Sequence, residues 1–455
     1  MRRYKCSYKA PFFLLPPLEL SYLAGITKCK IGVQYRFHDY IVDRQGINHF
    51  VNDVEVFNPD LIVTIVGVES IDDDLYKIKQ LKERVNAKVL VMGYLPSIYP
   101  EFYLKNHLID FILLNEPEET YSELLYYLIE DNKEKLSNLD GLALIINNEI
   151  KINPWRERIK YLDNIPMPDR ESLINNNYSE PYLGRPFTTM IYSRGCPFQC
   201  NYCVKTYGDK IVYHSPKRMV EELKYAVNSL NIKYVRFMDD TFTTNKTKVL
   251  DLCNEIIKEG LIFQWVCLSR ADTMDEEIAL RMREAGCKRV YLGIESASKK
   301  VLEFYNKKCE IVDIVETVNK LKKCNIEIFG FLMTGALNET NKDFIETINF
   351  VKRLKLDFVV LDLLMPYPGT ELHTKMQSEI NFSLNPYTLE YKDPNWLENM
   401  KQREALFYKS FYLDIYQIKK RLSYFLRFPK DSFSACRSMI MHLIQKKDKK
   451  NNKFI

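Results

Sequence analysis

From Phe187 to Met365 six apolar runs recur in alternation with stretches of helical periodicity, and this alternation restricts the fold more than any other property of the chain. The runs are TTMIYS, YVRFMD, FQWVCLS, RVYLGIE, EIFGFLM and DFVVLDLLM; between them lie stretches such as PKRMVEELKYAVNSL, KTKVLDLCNEIIKEG and DEEIALRMREAG. Each run is apolar enough to be buried on both faces, as strands of a parallel sheet covered by helices are. Six βα units in a row predict a partial, TIM-like β/α barrel. Loops at the carboxyl ends of such strands carry the chemistry.

Residues 30 to 125 show a less regular alternation: KIGVQYRF, DLIVTIVGV, KVLVMGY and DFILLN read as strands, with IDDDLYKIKQLKERV and PEETYSELLYYLIED as helices. This predicts a first α/β domain with a parallel sheet over residues 1–150. The polar stretch NNEIKINPWRERIKYLDNIPMPDRESL, with Pro154, Pro166 and Pro168, reads as a connector, and 151–185 is taken as the linker. The barrel then occupies 186–376. A helical segment, 377–455, closes the chain with aromatic residues after Trp396, expected to pack on the barrel, and a lysine-rich end expected to be solvated rather than bound to a membrane surface.

A soluble globular protein of two or three domains is expected from 455 residues with 46% hydrophobic and 27% charged content. The 65 Lys and Arg against 60 Asp and Glu leave +5, too little to argue for nucleic acid, and none is expected as a partner. Eleven cysteines, an odd number in a long chain, fit a reducing compartment better than a disulfide framework. The start, MRRYKCSYKAPFFLLPPLELSYLAG, makes a poor signal peptide because prolines and Glu19 interrupt its apolar stretch, and no window approaches the roughly 18 apolar residues of a membrane span. A cytoplasmic location is expected.

Directly after the first barrel strand comes SRGCPFQCNYC, with Cys196, Cys200 and Cys203 spaced C-x3-C-x2-C. A zinc site wants four ligands and a second cysteine or histidine pair, and none is present: Cys253, Cys267, Cys287, Cys309 and Cys324 stand singly. Cys267 and Cys287 read as small buried apolar residues. Three thiolates on one loop can instead hold three irons of a 4Fe-4S cluster and leave the fourth open to a ligand.

This motif, with an aromatic before its last cysteine and a β/α barrel around it, resembles that of the radical S-adenosylmethionine enzymes. The resemblance implies that the open iron chelates S-adenosylmethionine, whose one-electron cleavage yields a 5'-deoxyadenosyl radical that abstracts a substrate hydrogen. The catalytic and metal-binding residues are then Cys196, Cys200 and Cys203. The segments FMDDTFT, LSRAD and LGIESAS resemble those that bracket the cofactor, which implies cofactor contacts from Tyr202, Asp240, Arg270, Gly293 and Glu295. Each has a plainer reading: Asp239 and Asp240 as caps of the following helix, Glu295 as partner of a structural arginine. MTGALNET and MPYPGTEL resemble the turns after the fifth and sixth strands, the former with Leu337 and Asn338 in place of Pro-Gly.

Residues 16 to 170 resemble the Rossmann-like cobalamin-binding domain that precedes many of these enzymes, on PPLELSYLAG, FNPDLIVTIVG, KVLVMGYLPSIYPEF, FILLNEPEETYSELL and LDNIPMPDRESL. The departures fall where a cobalamin would sit. No D-x-H-x-x-G motif is present, the family's GGPHPT turn reads MGYLPS with Leu95 in place of His, and its GEGE turn reads NEPE at Asn115 to Glu118. A first Rossmann strand is hard to find, because MRRYKCSYKA is too polar for burial on both faces. Cobalamin therefore stays open. With it, the expected outcome is radical C-methylation in biosynthesis; without it, a rearrangement, dehydration, epimerisation or cyclisation. The expected partners are a small-molecule or natural-product substrate and an electron donor such as flavodoxin or ferredoxin. An iron–sulfur or corrinoid-binding sensor and a structural zinc protein are the competing classes.

Overall fold

The computed structural model describes residues 14–429 apart from 31, 44–46, 69, 181 and 382–389. The stretch MRRYKCSYKA and the lysine-rich end lie outside the described residues. Among the described residues no helix is long and apolar enough to cross a membrane.

The amino-terminal sheet has five strands in the order β1-β2-β3-β4-β5. Strands β1 (Leu61–Ile65), β2 (Lys88–Met92) and β3 (Phe111–Leu113) are parallel, whereas β4 (Leu142–Ile146) and β5 (Glu149–Ile152) add an antiparallel hairpin. Two expectations are corrected here. The described part of KIGVQYRF forms no strand, and its residues are half-buried or exposed. Strand β1 is accordingly the sheet edge, with all five residues only half-buried. The connector expected from Asn147 instead opens with β5, so the sheet is mixed rather than parallel. Glu149 and Lys151 hid that strand: an edge strand needs only one apolar face, here supplied by Ile150 against the sheet's core. Asn147 and Asn148, both at positive φ (50° and 66°), make the tight turn that joins the hairpin.

The second sheet contains all six runs expected of the barrel. Strands β6 (Phe187–Met190), β9 (Tyr234–Phe237), β10 (Gln264–Arg270), β11 (Cys287–Glu295), β12 (Glu327–Thr334) and β13 (Phe358–Leu363) are ordered sequentially, and every neighbouring pair is parallel. Between β6 and β9 a short antiparallel pair, β7 (Ser193–Arg194) with β8 (Val212–Tyr213), brackets the cysteine loop. Among the described residues the sheet does not close, and this open β/α barrel agrees with the expectation. Alternation along the strands divides two cores: Val235, Cys267, Val290 and Leu292 pack beneath the helices, while Val266, Tyr291, Phe329 and Phe331 fill the inside. The segment after Trp396 packs as expected, with Phe407 and Phe411 of helix Trp396–Tyr412 wholly buried in the outer core.

The barrel interior also holds charge. Glu180, from the linker, accepts from Arg236 of β9 at 3.0 Å and from the Tyr291 hydroxyl, and lies 3.8 Å from Arg289 of β11, which in turn pairs with Glu327 at 2.8 Å. Glu180, Arg236 and Arg289 are at most 1% exposed, so each charge depends on its partners. Glu180→Ala leaves two guanidinium groups short of a carboxylate. It is expected to lower the unfolding free energy by about 3–5 kcal/mol, read from the urea midpoint; an unchanged midpoint would show that the cluster holds nothing together.

Candidate functional site

The cysteine loop is held at its entry by the double aspartate that follows β9. Asp239, fully buried, accepts from the backbone N–H of Tyr192 (3.0 Å), from that of Ser193 (2.5 Å) and from the Ser193 hydroxyl (2.6 Å). Asp240 accepts from Gly195 N–H at 3.2 Å. Neither caps a helix; Asn245 does, accepting from Lys248 N–H. Gly195 has φ of 97°, and a Cβ there would stand 2.2 Å from the Lys210 carbonyl oxygen, so only glycine lets the two arms of the loop meet. Farther along, Asn201 donates from its backbone to the Tyr305 carbonyl and accepts from Leu372 N–H, tying the loop to the helical segments that follow β11 and β13.

Cys196 and Cys200 are half-buried and Cys203 is exposed, and none of the three is in a disulfide. Cys196 Sγ lies 3.7 Å from Thr241 Oγ1, Cys200 Sγ accepts from Arg270 Nη1 at 3.4 Å, and Cys203 Sγ is 3.8 Å from the Val204 carbonyl. Burial pushes the Cys196 thiol up from its ordinary value. The sulfurs thus face separate partners, and among the described residues no three His, Cys, Asp or Glu groups are already gathered as a metal cradle. The donor set nonetheless fits an iron–sulfur cluster with one open position. Three thiols share one irregular loop, and rotation about their χ1 bonds reorients them.

Arg270, the last residue of β10, grips Asp272 with Nε and Nη2 (2.9 and 2.8 Å) and stacks its guanidinium 3.8 Å from the Phe198 ring of the loop. Glu295, the last residue of β11, has φ of 63° and accepts from the Tyr202 hydroxyl (3.2 Å) and from Lys307 Nζ (2.7 Å). Burial first, and then Glu295, pushes the Tyr202 phenol well up. Glu295 therefore pairs with a lysine and not with the arginine considered from sequence. The space beside Gly293 belongs to the same pair: a Cβ there would meet Lys307 Nζ at 2.7 Å and Glu295 Oε1 at 2.8 Å. Lys307 also donates to the Gly293 carbonyl at 2.9 Å and is 5% exposed, yet nothing in NKKCE marks it among the neighbouring lysines. Only the fold reveals it. At the end of β12, Glu339 accepts from Thr334, from Gly335 N–H and from Arg403 of helix Trp396–Tyr412.

The fold thus brings the three cysteines, Tyr202, Asp240, Arg270, Gly293 and Glu295 to one rim of the barrel. It also adds residues of the amino-terminal domain that the sequence did not single out for this place. Arg194, in β7, is 1% exposed and pairs with Glu116 (3.3 Å) and Glu118 (2.5 Å) of the NEPE turn. Tyr94, after β2, donates to the Pro368 carbonyl at 2.7 Å, and burial pushes its phenol up to about 12.

An open parallel barrel with free thiols, a paired arginine and a buried lysine–carboxylate pair on one rim is the scaffold of a cofactor-dependent enzyme. The comparisons specify it further. The family described as the radical SAM superfamily matches residues 190–351. An uncharacterized methyltransferase of Pyrococcus horikoshii is 33% identical over 362 residues, which are 78% of this chain and 77% of that one. The anaerobic magnesium-protoporphyrin IX monomethyl ester cyclase of Cereibacter sphaeroides is 26% identical over 403 residues, 86% of this chain but only 64% of the cyclase. In structure, the radical S-adenosylmethionine methyltransferase TsrM from Kitasatospora setae, solved with cobalamin and a [4Fe-4S] cluster bound, aligns with a TM-score of 0.67 at 15% identity, over 80% of this chain and 72% of that one. The chain belongs to the radical S-adenosylmethionine superfamily. It is a radical S-adenosylmethionine enzyme, which implies a 4Fe-4S cluster and S-adenosylmethionine as its cofactors and fits cleavage of the latter.

Burial pushes the Asp239 carboxyl up to about 6, against the hydrogen bonds from Ser193 and Tyr192 that oppose the shift. A carboxyl that binds its proton more tightly folded than unfolded stabilises the fold at low pH, and that contribution is lost as pH rises from about 4 to about 6. Asp239→Asn is therefore expected to lack this part of the pH dependence. Thermal melts of both proteins between pH 4 and 7 check it, and superimposable pH profiles would contradict it.

Proposed function

We propose that Cys196, Cys200 and Cys203 are the ligands of the cluster, and that Tyr202, Asp240, Arg270, Gly293 and Glu295 form the S-adenosylmethionine site around it. The single observation that supports this is the convergence of three thiols outside any disulfide with Arg270 and the Glu295–Lys307 pair at one rim. Bound there, cluster and cofactor supply the electron and the carbon radical; the protein's part is to orient and to exclude water. Arg270, fixed on Asp272, presents positive charge beside Cys200. Glu295, shared by Tyr202 and Lys307, presents a fixed carboxylate, and Tyr202 offers a ring face for the adenine. Asp240 holds the loop through Gly195.

In this reading residues 1–150 are a Rossmann-like domain of the cobalamin-binding type, 151–185 a linker, 186–376 the radical barrel and 377–455 a carboxyl-terminal segment whose described part is largely helical. The substrate is a small molecule or natural product, the electron comes from a flavodoxin or ferredoxin, and the free cysteines suit a reducing cytoplasm. The relatives' names divide between methyl transfer and ring closure, so the chemistry after hydrogen abstraction follows from what the roof of the site holds.

Cys196→Ala, Cys200→Ala and Cys203→Ala are each expected to abolish formation of 5'-deoxyadenosine by anaerobically reconstituted, reduced protein, measured by chromatography. Cys267→Ala, wholly buried under the helices, is expected to leave it largely intact. Full activity in any of the three loop variants would sink the assignment.

A further inference from the structure

We propose that the amino-terminal domain roofs the barrel by direct protein contacts and holds no corrinoid; this deepens the reading above and rests on it. The two turns that depart from the cobalamin pattern are both already engaged with the barrel. After β2, Gly93 turns the chain at φ of 144° and Leu95 packs 1% exposed in the domain's own core with Val91, Tyr103 and Ile112. An inward-packed aliphatic side chain offers cobalt no ligand. Tyr94 instead points at the barrel, donating to Pro368 at 2.7 Å, and a Cβ on Gly369 would meet its hydroxyl oxygen at 2.7 Å. A flat macrocycle needs about 3.5–4 Å to the atoms on each face, or about 7 Å in all. Two oxygens at hydrogen-bond distance leave no such gap between them.

After β3, Asn115 adopts a left-handed conformation (φ of 59°), and Glu116 and Glu118, 4% and 3% exposed, turn toward Arg194. The guanidinium lies between the rings of Tyr22 and Tyr207, 5.6 and 4.9 Å away, and Glu116 accepts in addition from Ile159 N–H at 3.1 Å. A buried ion cluster of this kind holds only while all its members stay in place, because each would be costly alone. It joins the NEPE turn to the arm of the cysteine loop. Where helix Leu18–Lys28 meets the barrel, Leu15, Tyr22, Ile191 and Arg194 line a cavity of about 20 Å³, room for about one water. The carbon radical is then met by protein and substrate alone, and the product does not carry a methyl group delivered from cobalt.

The test uses the full chain, produced with cobalamin supplied and its uptake enabled, and then titrated with hydroxocobalamin. The expected result is no stoichiometric corrinoid on extraction and no change in the cobalamin absorbance spectrum on titration, in protein that still makes 5'-deoxyadenosine. Stoichiometric corrinoid, or a saturable spectral change, overturns the roof proposal whatever the cleavage assay shows. Absence of 5'-deoxyadenosine instead strikes the enzyme reading, so the two failures are distinct. A second arm examines the lock itself: Arg194→Met is expected to make limited proteolysis within 151–185 at least about tenfold faster while the far-UV circular dichroism is kept. Unchanged proteolysis in a folded variant would show that the ion cluster does not hold the roof.

Discussion

Parallel pairing decides where everything in this protein can be. Because β6, β9, β10, β11, β12 and β13 all run the same way, their six carboxyl ends lie on one rim, and strands of this kind need helices on the outer face and side chains filling the inner one. The cysteine loop leaves the first of these ends, Asp239 and Asp240 leave the second, Arg270 the third and Glu295 the fourth. Residues far apart in the chain become neighbours without any one of them encoding the encounter.

Around the barrel the joints are buried polar contacts. Asp239 takes three donors from Tyr192 and Ser193 and so fixes the direction in which the loop departs. Glu180 fastens the linker inside the barrel, and Arg170 fastens it to helix Pro216–Lys224 through Glu222 at 2.7 Å. Arg194 binds the amino-terminal domain to the arm of the loop. Apolar packing alone is tolerant of small displacements, whereas a buried ion pair has one geometry that satisfies it; pairs of this sort therefore set the relative placement of elements more sharply than they add stability. The Glu295–Lys307 pair applies the same logic inside the site.

Much of the barrel was legible in advance because its strands are buried on both faces and its helices on one, and these two patterns are local in sequence. The cysteine loop was legible because three reactive side chains within eight residues have few other uses. KIGVQYRF misled because an apolar run needs a neighbouring strand before it becomes one, and β5 was missed because EIKI, an edge strand, shows only one apolar face. Lys307 and Arg194 were invisible as site residues: each is an ordinary basic residue until its carboxylate partner arrives from 12 and about 78 positions away.

The sequence by itself determined the class of chemistry, since the spacing of Cys196, Cys200 and Cys203 after an apolar strand is a local property that survives any detail of packing. Tertiary structure alone decided what surrounds that chemistry. Whether Glu295 meets an arginine or a lysine, and whether the MGYLPS and NEPE turns face a void or the barrel, depends on contacts between distant segments, and no periodicity or motif encodes the distance between two surfaces.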